Sequence, residues 1–251
     1  MPVDVEIRDG IAHAVLNDPP LNILTRGLLA RLRDELEAHG DDPTIRVLVV
    51  SAEGKHFSAG ASVEEHLPGQ CEEMIPEFME TILTVDRFPV PVVFAVQGRC
   101  LGGALELVLA GDMIVAAEGA LFGVPEIQLG VLPPAACVQL PALVPAGVAA
   151  ELVYTGAPID AEAARRAGLV LRVVPPGDLL GEAMALAGAI AARSGAALRE
   201  AKKAMRAGRG DLGARMDTVT RIYLEDLMAT ADATEGLASF MEKRQPEWSH
   251  S

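Results

Sequence analysis

Three apolar runs constrain this chain more than anything else in it: IRVLVVS at 45–51, PVPVVFAVQG at 89–98 and DMIVAAE at 112–118. The first lacks the strict alternation of a half-buried strand. Runs of this kind belong to parallel strands covered on both faces. Helical patterns separate them, over 63–87 and 101–110, the former interrupted by Pro68, Gly69 and Pro76. Strand, crossover helix and strand therefore recur, and the chain reads as an α/β protein with right-handed crossovers.

The flanking segments fit that frame. Residues 3–8 and 11–16 alternate well enough for a hairpin around Asp9-Gly10. Residues 17–22 (NDPPLN) are a turn. Leu28, Leu29, Leu32 and Leu36 share one face of a helix over 25–39, with Thr25 as N-cap and Gly40 just past the end. A Gly- and Ser-containing loop occupies 52–62, and 120–126 is a short extended piece. After residue 145 the chain turns helical and Ala-rich, with helices over 147–155, 160–167, 178–193 and 196–207 and one further strand at 169–175. Residues 211–244 form a long helical region in which Gly213 and Gly236 are the breakers. No low-complexity linker divides the chain. We divide it functionally into an α/β core, 1–195, and a C-terminal helical region, 196–251.

Charge and composition exclude several roles. Twenty-one Lys and Arg stand against 35 Asp and Glu, a net charge of −14 over 251 residues. Nucleic acids and anionic membranes need clustered basic charge, which this chain lacks. Aromatic residues are 4% of the sequence, too few for a base-stacking surface. Cys71, Cys100 and Cys137 are odd in number and lack metal-ligand spacing, so a disulfide scaffold and a metal site are not expected, and a reducing cytoplasm is. The N-terminal residues do not read as a signal peptide, and Glu106 and Asp112 interrupt the longest apolar stretch.

Four places could carry chemistry. In CLGGALE, 100–106, a helix starts at Gly102-Gly103 directly after a strand. Unpaired N–H groups at such a start, with no side chains in the way, suit an oxyanion. Tight packing of helix on strand explains the two glycines equally well. Glu106 lies between Leu105 and Leu107 in an apolar helix, where desolvation raises a carboxyl pKa and marks a functional candidate. Glu126, in GVPEIQLG, is also set among apolar residues, and reads as either a site group or a surface turn. The loop GKHFSAGAS, 54–62, leaves a buried strand end, where α/β folds bind ligands, and Lys55 and His56 add cationic or titratable character. His13, His39, His66 and His250 are scattered, and Ser51, Ser58 and Ser62 lack a nucleophile-elbow context.

Taken together, AVQGRCLGGALELVLAGD at 95–112, FSAGAS at 57–62, FGVPEIQLGVLP at 122–133, TGAPIDAEAARRAGLVLRVVP at 155–175 and GLASFMEKRQPEW at 236–248 resemble the enoyl-CoA hydratase/isomerase (crotonase) superfamily. The resemblance implies a spiral of ββα repeats with a C-terminal trimerisation region, assembled as a homotrimer or hexamer. It implies an acyl-CoA substrate and no cofactor, because coenzyme A is part of the substrate. Ala61 and Gly103 match the backbone positions that hold the thioester oxygen. Glu106 and Glu126 match the acid/base pair of the hydratases, with the spacing of that pattern. Lys55, Phe57, Ala59, Gly60, Ser62, Leu101, Gly102, Pro133 and Pro134 match substrate- or CoA-binding positions. Phe240 and Lys243 match tail positions that can reach the CoA of a neighbouring subunit. The implied activity is hydration of an enoyl-CoA; a double-bond isomerase, and an RNA- or CoA-binding assembly protein, are the alternatives.

The departures matter. Ser62 stands where Asp is usual, Glu64 where a base is usual, and PPAAC at 133–137 replaces a glycine-rich PGAGG. Pro134 has no N–H, so a backbone donor expected there is lost. SAGAS, EEH at 64–66 and LGVLPPAA resemble the branch that hydrates cyclohexa-1,5-diene-1-carbonyl-CoA.

Overall fold

The computed structural model describes residues 2–250. Met1 and Ser251, the outer limits of the two expected regions, lie outside the described residues.

The chain starts with the expected hairpin. Strands β1 (Val3–Arg8) and β2 (Ile11–Leu16) pair antiparallel around Asp9 and Gly10, with φ of 53° and 82°, the two left-handed residues that a tight hairpin turn requires. Helix α1 (Arg26–Gly40) buries Leu28, Leu29, Leu32 and Leu36, and the Thr25 hydroxyl accepts from the Leu28 N–H. Gly40 is not past its end, however; it is the last helical residue, and Asp41 caps the helix in a right-handed conformation.

Strands β3 (Val47–Ala52), β4 (Val92–Val96) and β6 (Met113–Ala117) continue the sheet in parallel, and β9 (Arg172–Val174) closes it, in the order β1-β2-β3-β4-β6-β9. Alternate residues of the central strands face opposite layers. Leu48, Val50, Phe94, Val96 and Ala116 pack into the main core. Val47, Val49, Val93, Ala95, Val115 and Ala117 pack on helix α7 (Leu179–Ala191). Leu179, Ala183, Ala187 and Ala191 recur every four residues on that helix and make its contact stripe. Two covered faces are the reason these strands lack alternation.

A second, smaller sheet lies beside the first. It joins β5 (Arg99–Leu101), β7 (Leu121–Gly123) and β8 (Ile159–Asp160). Two units of the core thus give one strand to the large sheet and the next to the small sheet, followed by a helix or a turn. After β4 and β5 comes α3 (Gly103–Val108); after β6 and β7 comes a 3₁₀ turn, Pro125–Leu129. Leu101 consequently belongs to a strand, and the helix is shorter than the apolar run suggests.

Three other segments depart from the sequence reading. Residues 64–66 are a 3₁₀ turn, and α2 (Cys71–Arg87) runs on through Pro76. Residues 134–143, for which the sequence gives no helix, form α4 (Pro134–Leu143). The long C-terminal region is divided: α8 (Gly195–Arg209) and α9 (Leu212–Arg221) lead into a π-helical turn, Ile222–Leu227, and α10 (Ala231–Met241) restarts on a Thr230 cap. Helix α5 (Ala146–Thr155) and α6 (Ala161–Arg166) match expectation to within a residue at each end. Among the described residues no helix is long and apolar enough to cross a membrane.

Candidate active site

The loop after β3 is woven between the 21–24 segment and β5. Ala59 N–H donates to Leu21 O (2.9 Å), Ser58 N–H to Arg99 O (3.0 Å) and Leu101 N–H to Ser58 O (3.3 Å). Fully buried Asn22 adds a staple, its Nδ2 donating to the carbonyls of Glu53 and His56, both at 2.9 Å. Leu24 N–H donates to Gly60 O and Ser62 N–H to Leu24 O, so the pairing brackets Ala61 and leaves its own N–H turned the other way. Gly60 has φ +114°, and a Cβ there would lie 2.9 Å from Leu101 O; only glycine allows the loop to approach β5 so closely.

Gly102 and Gly103 face this loop. A Cβ on Gly103 would lie 3.1 Å from Ala61 Cβ and 3.1 Å from the Phe78 ring. Among the described residues, neither the Ala61 N–H nor the Gly103 N–H donates to any acceptor. Gly102 has φ +55°, and its N–H donates to Gly123 O at 2.8 Å. A Cβ at this position would lie 2.6 Å from Glu126 Oε1. The glycine pair therefore does two separate jobs: the first makes room for a carboxyl group, the second for a close approach of helix to loop.

Both glutamates are buried, Glu106 at 2% and Glu126 at 9% exposure. Their surroundings differ. Glu106 Oε1 accepts from the Ala136 N–H at 2.9 Å, in the first turn of α4. Burial pushes its pKa up to about 7, and the Ala136 and Ala135 amides oppose the rise. Glu126 has an unpartnered Oε2. Burial, then the charge of Glu106, holds its pKa well above the carboxylate range. Two adjacent carboxyls in such a setting titrate as a coupled pair, and burial favours the protonated form of each.

Pro134 occupies the first helical position of α4 and brings no N–H to it. The donors to Glu106 come from the alanines that follow.

Of the residues singled out by sequence, Ala59, Gly60, Ala61, Gly102 and Glu126 line one cleft, and Val63, His66, Pro125, Leu129, Val131 and Leu237 complete it. Glu106 does not line it. Phe57 is fully buried, its ring edge-on to Phe94 at 6.0 Å, so its side chain belongs to the core and reaches no ligand. Lys55 lines a different groove with Glu53, Gln97 and Gly98. Ser62, Leu101, Pro133, Pro134, Phe240 and Lys243 do not line the cleft, and Phe240, near the end of α10, is half exposed. His66, one of the scattered histidines of the sequence, is part of the wall. Its Nδ1 lies 2.7 Å from Ser62 O and so carries the proton, which makes Nε2 an acceptor. Burial lowers its pKa and keeps the ring neutral.

Two buried carboxyls and two unengaged amides are set in an α/β scaffold of paired sheets. The chain belongs to the enoyl-CoA hydratase/isomerase family, whose model matches residues 6–251, and the fold is the crotonase fold that the sequence resemblance implied. It is 39% identical over 249 residues to a cyclohexa-1,5-dienecarbonyl-CoA hydratase of Thauera aromatica, covering 96% of this chain and 94% of that protein. It is 34% identical to a crotonyl-CoA hydratase of Syntrophomonas wolfei, covering 96% and 95%. The crystal structure of an enoyl-CoA hydratase/isomerase from Pseudoalteromonas atlantica superposes with a TM-score of 0.91 at 30% identity, covering 99% of this chain and 100% of that one.

Proposed function

We propose that this protein adds water to the conjugated double bond of a cyclic dienoyl-CoA thioester. The observation that carries the reading is the unequal pair: Glu106 held by the Ala136 amide, and Glu126 with an unpartnered Oε2 and a pKa raised by burial and by Glu106. Environments that push two carboxyls apart in pKa assign base and acid. The thioester oxygen accepts from the Ala61 and Gly103 N–H groups, which stabilise the negative charge that develops on it. Glu106 takes a proton from water as the water oxygen bonds to Cβ. The electron pair of the double bond moves into the thioester to form an enolate, which takes a proton from Glu126. The product is the hydroxyacyl thioester, and transfer of the proton from Glu106 back to Glu126 restores the starting state.

The cleft wall favours a compact acyl group. Val63, Leu129, Val131 and Leu237 supply its apolar surface. The likeness to the Thauera aromatica hydratase over almost the whole chain supports a ring substrate. In this reading Lys55 contacts the CoA, and Phe240 and Lys243 contact the CoA of a neighbouring subunit in a homotrimer or hexamer. An isomerase needs only one acid/base carboxyl; the amide dedicated to Glu106 favours hydration. The test is turnover of cyclohexa-1,5-diene-1-carbonyl-CoA against crotonyl-CoA, followed by mass spectrometry. Faster gain of one water by the cyclic diene supports the reading. Preference for crotonyl-CoA, or isomerised product with no added water, overturns it.

A further inference from the structure

Among the described residues, the buried side-chain atoms without a hydrogen-bond partner are Arg31 Nε, Arg46 Nε, Glu126 Oε2 and the Tyr223 hydroxyl. Each arginine has another nitrogen engaged, with Glu35 and with Asp9 O. Tyr223 has no second polar atom in its side chain, and it is fully buried. Left unpaired, a buried hydroxyl is a cost that a phenylalanine would avoid.

Tyr223 lies in the π-helical turn between α9 and α10. Such wide turns re-aim a side chain and recur at functional sites. Its ring tilts against His66 at a centroid distance of 6.4 Å, and the charges of Glu126 and Glu106 both act on the phenol. Burial, then Cys71 and the two glutamates, raise the phenol pKa, so the hydroxyl keeps its proton.

The other groups around Glu126 cannot supply a strong donor. Glu106, from α3, is itself the neighbouring acid. His66, from the 3₁₀ turn, has its proton committed to Ser62 O. Cys71 on α2 acts on Tyr223, and Cys137 on α4 feels both glutamates; burial pushes these thiols up to about 11 and 12, which leaves them neutral and weak as donors.

We propose that Tyr223 is a positioning residue whose hydroxyl donates to Glu126 Oε2 through one bridging water. The same water then satisfies both unpartnered atoms. The bond also orders the carboxyl: with Oε2 engaged as acceptor, the acidic proton resides on Oε1, the oxygen nearer Gly102. Tyr223 does not line the cleft, so it acts on substrate only through Glu126. The inference rests on the reading of Glu126 as proton donor.

Tyr223→Phe keeps the ring and deletes the donor. Its kcat is expected to fall roughly tenfold with KM little changed, and the alkaline limb of its kcat profile to move to higher pH. The last follows because a hydrogen bond to the carboxylate favours the charged form of Glu126, and its loss raises that pKa. In a Glu126→Gln background, Tyr223→Phe is expected to add little further loss. An unchanged kcat and alkaline limb would overturn the proposal. Near-parental activity in Glu126→Gln alone would instead overturn the underlying acid assignment, whatever Tyr223→Phe does.

Discussion

Glu106 Oε1 accepts a hydrogen bond from the Ala136 N–H at 2.9 Å, across an interval of thirty residues. The bond ties the buried carboxyl of α3 to the first turn of α4, where free amides and the positive end of the helix favour the anion. The same carboxyl that burial would neutralise is thereby kept within reach of ionisation near neutral pH.

Glu106→Gln retains an oxygen to accept from Ala136 but cannot take a proton. Its kcat should fall by about 10²–10⁴-fold, the usual contribution of a general base, with the circular-dichroism spectrum unchanged. Steady-state hydration assays decide it; a loss below about fivefold would remove Glu106 from the base role.

Gly102→Ala tests the other side of the pair. Its Cβ would fall 2.6 Å from Glu126 Oε1, on a backbone at φ +55°. The carboxyl must shift or the turn must rearrange, so a strained folded state with displaced Glu126 is expected. Activity should drop at least tenfold and stability by about 1–2 kcal/mol. Urea melts and kcat/KM on the same preparation measure both, and near-parental values in both would contradict the close contact.

How much of this was legible beforehand depends on how local the cause is. The Asp9-Gly10 turn, the Leu28–Leu36 stripe and the doubly covered strands each follow from short-range pattern. Glu106 and Glu126 stood out because carboxylates among leucines and valines demand a reason. Helix α4 did not, because PPAACVQLPAL contains prolines at positions that read as breaks, although Pro134 is tolerated at the first helical position. Gly236 reads as a breaker yet lies inside α10, where any Cβ would collide with Leu129 O beside the Glu126 turn. Asn22, His66 and Tyr223 acquire their roles from partners far away in sequence. A polar residue within the run LNIL was the one available sign of Asn22.

Helix α8 is anchored to the sheet by a buried cation. Lys202 Nζ pairs with Asp112 Oδ2 at 2.9 Å and donates to Val90 O at 3.0 Å, and Asp112 Oδ2 also accepts from the Val92 N–H at 2.8 Å. Burial lowers the Lys202 pKa, and Asp112 opposes that shift. Lys202→Ala strands a largely buried carboxylate and should cost about 3 kcal/mol in urea unfolding. Lys202→Met with Asp112→Asn should recover most of the loss. A single-mutant cost under about 0.5 kcal/mol would show that the pair contributes nothing.

The buried pair also makes stability depend on pH. The Glu106 pKa rises from 4.5 unfolded to about 7 folded, and Glu126 shifts the same way. Between those values the folded chain binds protons that the unfolded chain has released, so unfolding free energy falls as pH rises. The stabilisation is complete below the unfolded value near 4.5 and is lost as pH climbs through about 7. Glu106→Gln does not titrate there. Relative to the parent it should therefore gain on the order of 2 kcal/mol between pH 5 and pH 8. Parallel urea melts of the two proteins across that range measure the difference. A constant offset would mean that Glu106 titrates alike in the folded and unfolded chain, which its burial does not permit.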